Sequence, residues 1–186
     1  MILPIVSFGS PVLRKKCVDI SPDYPELEML LDNMKETMHE AHGVGLAAPQ
    51  INKAIRLFLI DTTPFIDDKE ETEEVIVKQV FINAKILKET GEEWSFNEGC
   101  LSIPDVREDI SRKSIITIKY FDENFEKHTD TYDGLTARVI QHEYDHINGI
   151  LFTDKLTALR KRMIKGKLMD ISKGKVNATY KMRFAR

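Results

Sequence analysis

The pentapeptide His142-Glu143-Tyr144-Asp145-His146 carries the clearest chemistry in the chain. On a helix, residues four apart share a face, so His142 and His146 can turn two imidazoles toward one metal ion. Glu143 stands beside the first of them, placed to reach a water at the ion rather than the ion itself. An H-E-x-x-H of this kind is the working core of many metal-dependent hydrolases. For the five residues alone, the plain alternative is a helix with two surface histidines and a solvated glutamate.

Two histidines do not make a catalytic metal site, which uses three protein ligands and leaves a position for water. A metzincin peptidase would place its third histidine six residues beyond His146, where Phe152 stands. A thermolysin-like enzyme would use a downstream glutamate, but none follows Glu143, and Asp170 lies in a basic stretch. Upstream, Glu98-Gly99-Cys100-Leu101-Ser102-Ile103-Pro104 sets a thiol between a glycine and a proline turn. That context predicts an irregular segment, free to approach a helix. A lone cysteine is usually a small buried hydrophobe. Beside an H-E-x-x-H with no other third ligand, a thiolate ligand is the better reading of Cys100. A further block, Gly43-Val44-Gly45-Leu46-Ala47-Ala48-Pro49-Gln50, lacks the lysine and hydroxyl of a phosphate loop. Its small residues admit close backbone approach, and Gln50 offers an amide donor. Taken alone, the block reads more readily as a packed helix-to-strand turn.

The elements that must position these groups follow from periodicity. Leu27, Leu30, Leu31, Met34 and Met38 recur at spacings of three and four, predicting a helix over about 26–42 that Gly43 and Gly45 end. Strands are expected at about 55–61, 74–89 and 114–121, with 125–132 pairing back through the Asp122-Glu123-Asn124 turn. The metal-binding helix is expected over about 134–148 and a last helix over about 154–172. Strands grouped before one central helix, with helices near both ends, predict an α+β fold: antiparallel sheets packed around the H-E-x-x-H helix. Residues 1–186 read as a single catalytic domain. Apolar content of 42% and charged content of 31% are ordinary for a globular chain, which excludes wholesale disorder. Two cysteines, Cys17 and Cys100, do not make a secreted disulfide scaffold, and no window approaches a membrane span. A reducing, cytoplasmic setting with free thiols is expected.

The blocks G-V-G-L-A-A-P-Q at 43–50, E-G-C-L-S-I-P at 98–104 and Q-H-E-Y-D-H at 141–146 together resemble peptide deformylase, in that family's order. The opening, Pro4-Ile5-Val6 through Gly9, Pro11, Val12, Leu13 and Arg14, is similar to the family's start, so the likeness spans nearly the whole chain. The resemblance implies removal of the N-formyl group from the initiator methionine of newly made polypeptides, releasing formate. It implies one divalent ion on Cys100, His142 and His146, ferrous iron first, with zinc, nickel or cobalt as substitutes. Glu143 is then the base, and Gln50 with the Leu101 backbone N–H the oxyanion donors. Val44, Gly45, Gly99, Arg107, Leu135 and Val139 would bind the formyl-methionyl peptide. Glu98 and Arg112 would form an ion pair bracing the cysteine loop, although Arg107 and Arg112 each read alone as a solvated strand charge. Arg138, one turn before His142, stands where an apolar pocket residue is expected.

Two charged stretches depart from this pattern. The acidic excursion 62–74 reads as an insertion between strands that stays clear of the chemistry. The segment 155–186 is rich in lysine and arginine. It is a solvated surface or, with substrate emerging from a ribosome, a salt-sensitive contact to RNA phosphate. In the helix 154–172, Leu156, Leu159, Met163 and Leu168 are expected to pack, with Arg160, Lys161, Lys165 and Lys167 on the outer face. Removal of 174–186 is expected to leave activity on short peptides intact. No membrane and no DNA partner is expected. Competing readings are a metallopeptidase that cuts internal peptide bonds and a non-catalytic metal-binding module.

Overall fold

The structure, a computed structural model, describes residues 1–65 and 76–185. Most of the acidic excursion therefore lies outside the described residues. The remaining elements are β1 (Ile5–Val6), α1 (Leu27–Glu40), β2 (Gly45–Ala47), β3 (Leu57–Asp61), β4 (Lys78–Cys100), β5 (Ile103–Phe121), β6 (Lys127–Asp133), α2 (Gly134–Ile147), α3 (Ala158–Ser172) and β7 (Met182–Arg183). Strands β2 to β6 form one antiparallel sheet in sequence order, and β1 pairs with β7 in a parallel two-stranded sheet. Among the described residues, no helix is long and apolar enough to cross a membrane.

The core forms on both sides of the strands that carry small and apolar residues. Leu30, Leu31, Met34 and Met38 of α1 pack with Leu46, Leu57 and Leu59. Ala137, Val139, Ile140 and Ile147 of α2 pack with Phe58, Ile60, Phe81, Ile116 and Ile118. Thus the α2 face that bears the apolar stripe lies on β2, β3, β5 and β6, and the H-E-x-x-H helix is central. It ends at Gly149, whose φ of +75° is left-handed and where a Cβ would meet the Arg14 carbonyl oxygen at 2.7 Å. The α+β expectation therefore holds.

Four particulars differ from the sequence reading. First, β4 and β5 are far longer than their apolar cores. Their pairing runs from Ile82↔Phe121 to Cys100↔Ile103, with register shifts at several points. Cys100 is consequently the last residue of a strand at a tight hairpin, not part of an irregular segment. Second, the last helix starts at Ala158 rather than 154: a short 3-10 turn at Phe152–Lys155 precedes it, and Thr157 caps it by accepting from the Arg160 N–H at 3.3 Å. Third, the packing face of α3 is Ile164, Leu168 and Ile171, joined by Leu156 before the helix, whereas Leu159 and Met163 are 68% and 63% exposed. Arg160 is not simply solvated either; it makes a forked pair with the buried Glu108 at 2.8–2.9 Å.

Fourth, the C-terminal segment is not a free tail. The Ile5 N–H donates to the Lys181 carbonyl and the Ser7 N–H to the Arg183 carbonyl, both at 2.9 Å. The Ala185 N–H donates to Ser7 Oγ at 3.1 Å, and the Tyr180 hydroxyl donates to the Leu101 carbonyl at 2.7 Å. Deleting 174–186 would strip backbone bonds from β1 and a bond from the cysteine loop. The segment is thus part of the fold around the cysteine loop, not a solvated appendage that can be removed without structural cost.

Candidate metal centre and substrate cleft

Three donor atoms, one each from Cys100, His142 and His146, lie within 4.8 Å of one another. The hairpin between β4 and β5 delivers the thiol, and the helical i, i+4 spacing delivers both rings, whose centroids are 5.1 Å apart. Cys100 Sγ stands 3.2 Å from His146 Nε2. Donors around a four-coordinate ion with bonds of about 2.0–2.3 Å are about 3.5 Å apart, so the thiol and two imidazoles fit a divalent cation.

Each ring is oriented differently. His142 Nδ1 contacts Glu98 Oε2 at 3.0 Å, which leaves Nε2 for the cluster. Burial opposes a charge on His142, yet its hydrogen bonds to Cys100 and Glu98 hold its pKa well above the usual imidazole value. His146 is 1% exposed, and burial together with the neighbouring His142 holds its pKa well below that value. Glu98 in turn accepts from Arg112 Nε at 2.7 Å and Nη2 at 3.0 Å, and from Arg138 Nη1 at 3.0 Å. Burial alone would raise the Glu98 pKa, but bonds from His142 and Arg112 overcome it and hold the carboxyl well below its ordinary range. Arg112 also donates to Asp145 at 2.7 Å. Arg112, only 7% exposed on β5, is therefore not a solvated strand charge, whereas Arg107 on the same strand is exposed; Arg138 of α2 is buried at 3%.

Glu143 is 4% exposed, and its Oε2 is a buried acceptor with no hydrogen-bond partner among the described residues. Burial pushes its pKa up to about 7. Its carboxylate lies directly against Gly45, where a Cβ would stand 2.4 Å from Oε1. Only glycine at 45 admits this approach, which gives the small-residue block a reason beyond turn packing. At the other end of that block, Gln50 is 1% exposed and its Oε1 accepts from the Ala47 N–H at 2.8 Å. The amide is thereby fixed with its N–H₂ turned to Cys100 Sγ at 3.6 Å and Ser102 Oγ at 3.4 Å.

A cavity of about 490 Å³ opens beside these groups. Val44, Gly45, Gly99, Arg107 and Val139 line it, as do Leu101, His142 and Glu143. Leu135 does not. It stands half-buried a turn before Val139, at the N-terminal end of α2, and is replaced in the wall by Phe96 and Arg138. Phe96 was missed because 89–113 reads as charged. Its signal was the alternation Trp94, Phe96, Glu98 along one face of β4. Arg138 reaches past the cavity, donating to the Ile110 and Trp94 carbonyls at 2.9 and 2.6 Å, with its guanidinium 4.5 Å over the Trp94 ring. Phe65, at the start of the acidic excursion, also lines the cavity, so that segment does not stay wholly clear of the site.

Residues 2–162 match the family model described as polypeptide deformylase. A peptide deformylase of Christiangramia forsetii is 63% identical over 189 residues, covering 99% of this chain and 96% of that protein. One of Flavobacterium johnsoniae is 60% identical over 190 residues, covering 100% and 97%. The crystal structure of a peptide deformylase from Legionella pneumophila superposes with a TM-score of 0.81 at 35% identity, covering 94% of this chain and 98% of that one. Sequence, fold and site thus agree, and the chain belongs to the polypeptide deformylase family.

Proposed function

We propose that Cys100, His142 and His146 hold the divalent ion, and Glu143 moves the proton, in the family's reaction: removal of the N-formyl group from the initiator methionine of new polypeptides with release of formate. The observation that carries this assignment is the unpartnered, buried Glu143 carboxylate beside a thiol–imidazole–imidazole cluster. When bound, the ion supplies Lewis acidity and makes a neighbouring water more acidic. Its buried carboxylate, with one oxygen unpartnered, suits Glu143 to take a proton from that water as it attacks the formyl carbon, and to return it to the departing amine. The Gln50 amide and the Leu101 backbone N–H stabilise the oxyanion that develops on the formyl oxygen. The Ala47 N–H supports the first of these roles by fixing the Gln50 amide.

Backbone of Val44, Gly45 and Gly99 pairs with the extended peptide in the manner of strand addition. Val139 and Phe96 line the pocket for the methionine side chain. Arg107 is exposed at the cavity mouth, where Asn97 Oδ1 accepts from its Nε at 2.9 Å, and it meets the peptide further along. Ferrous iron is the proposed resident ion, with zinc, nickel or cobalt as functional substitutes; the thiolate makes an iron form sensitive to air. Residues 1–186 act as one catalytic domain in the cytoplasm. The exposed basic face of α3, with Lys161 and Lys165, contacts ribosomal RNA through salt-sensitive charge interactions.

The test is a formate-release assay on formyl-methionyl peptides with anaerobically purified protein, run beside metal analysis. Formate released without chain cleavage, at one ion per chain, supports the reading. Internal peptide fragments, or metal-loaded but inert protein, would overturn it.

A further inference from the structure

The C-terminal segment, outside the residues that the family model matches, reaches the turn that follows Cys100. That match ends at residue 162, whereas Tyr180 donates its hydroxyl to the Leu101 carbonyl at 2.7 Å. The next residue along the loop is held as well: the Phe8 N–H donates to the Ser102 carbonyl at 2.8 Å. Phe8 follows β1, which β7 pins through the Lys181 and Arg183 carbonyls. Two successive carbonyls after Cys100 are therefore anchored, one by the tail directly and one through the strand that the tail braces. Tyr180 is partly buried against the core that α1 covers, on which Leu101 also packs.

The Leu101 N–H and the Leu101 carbonyl belong to adjacent planar peptide units joined at one Cα. Cys100 is held in register with Ile103, which leaves the turn its rotations at Leu101 and Ser102; Phe8 restrains the Ser102 carbonyl and Tyr180 the Leu101 carbonyl. We propose that Tyr180 is a positioning residue for the deformylation step: by fixing the Leu101 carbonyl it sets the direction of the Leu101 N–H. The inference rests on the assignment of that N–H as an oxyanion donor. Gln50, which contacts Cys100 Sγ and Ser102 Oγ on the same turn, is the second donor and depends on the same placement.

The test uses full-length Tyr180→Phe, which keeps the ring and loses only the hydroxyl. Turnover of a short formyl-methionyl peptide is measured per active site, counted with a tight-binding hydroxamate and checked by metal content. A misdirected donor should lower kcat by roughly tenfold, since small misplacements of a catalytic group cost up to about a hundredfold. KM and metal content should stay within about twofold of the wild type, because neither depends on the transition-state charge. A merely structural bond would instead lower the melting temperature and leave kcat per titrated site unchanged, which overturns the proposal. Gln50→Ala separates the two levels. If Gln50→Ala loses turnover and Tyr180→Phe does not, only the positioning role fails. If both retain full turnover, the oxyanion assignment fails with it.

Discussion

Replacing Glu98 with glutamine tests the hub that joins the fold to the metal centre. Glu98 is 4% exposed and accepts four contacts: two from Arg112, one from Arg138 and one from His142. Glutamine keeps the shape but removes the charge that two buried guanidiniums share, and turns an N–H₂ toward one of the donors. Removing one partner of a buried ion pair typically costs about 3–5 kcal/mol. Arg112 retains Asp145 at 2.7 Å, and Arg138 retains two carbonyls and the Trp94 face, so the lower end applies. About 3 kcal/mol corresponds to a fall of about 6–12 °C in melting temperature for a chain of this size. The same change loosens His142, and loss of a partner behind a metal-bound histidine weakens metal affinity by about 10–100-fold. Thermal unfolding by circular dichroism reads the first effect, and competition with a chelator reads the second. Adding Arg138→Leu to Glu98→Gln should recover part of the lost stability, because it removes one of the stranded charges. A melting temperature within about 2 °C of wild type, with unchanged chelator competition, would refute the reasoning.

Other consequences follow from the same geometry. Glu143→Gln should keep its metal while turnover falls by about 10²–10⁴-fold, and a metal-free variant would show that Glu143 is a ligand instead. Gly45→Ala should be nearly inactive yet folded, since its Cβ meets the Glu143 carboxylate; an active variant in a formate-release assay would show that the two do not approach. Burial opposes the charge on Asp61, but bonds from Thr63, His39 and Lys78 prevail and lower its pKa to about 2. Its contribution, about 2 kcal/mol, is complete above the usual carboxylate pKa and drains away as pH falls from about 4 toward 2. The melting temperatures of wild type and Asp61→Asn should therefore differ at pH 5 and converge on acidification toward pH 2. Lys161→Glu with Lys165→Glu should leave short-peptide turnover unchanged and weaken ribosome co-sedimentation at low salt; unaltered co-sedimentation would remove α3 from the contact.

Local patterns in the chain were enough for the helices and for the donors. The i, i+4 histidines define one face of a helix whatever else surrounds it, and the 3–4 spacing from Leu27 to Met38 needs only a core to face. The small-residue block and Cys100 were legible as types, because their chemistry is carried by the residue itself. What they touch was not. Nothing within a few residues of Gly45 announces that the Glu143 carboxylate lies on it, nor that Gln50 is oriented by Ala47. The charged, bulged stretch 89–113 conceals two long strands, because their alternation is polar outward and interrupted by register shifts. Leu135 is not in the cavity wall and Phe96 is, since a position on a helix fixes its angle but not where a neighbouring strand delivers a side chain. The same holds for Arg138, which an ion pair with Glu98 on a distant strand draws away from solvent, and for Tyr180, which meets Leu101 only once β7 has closed on β1. Residue type and short-range periodicity depend on the covalent chain, and the sequence alone determined both. Burial, charge compensation and the reach of one side chain to another depend on which distant segments pack together, and only the tertiary structure decides that.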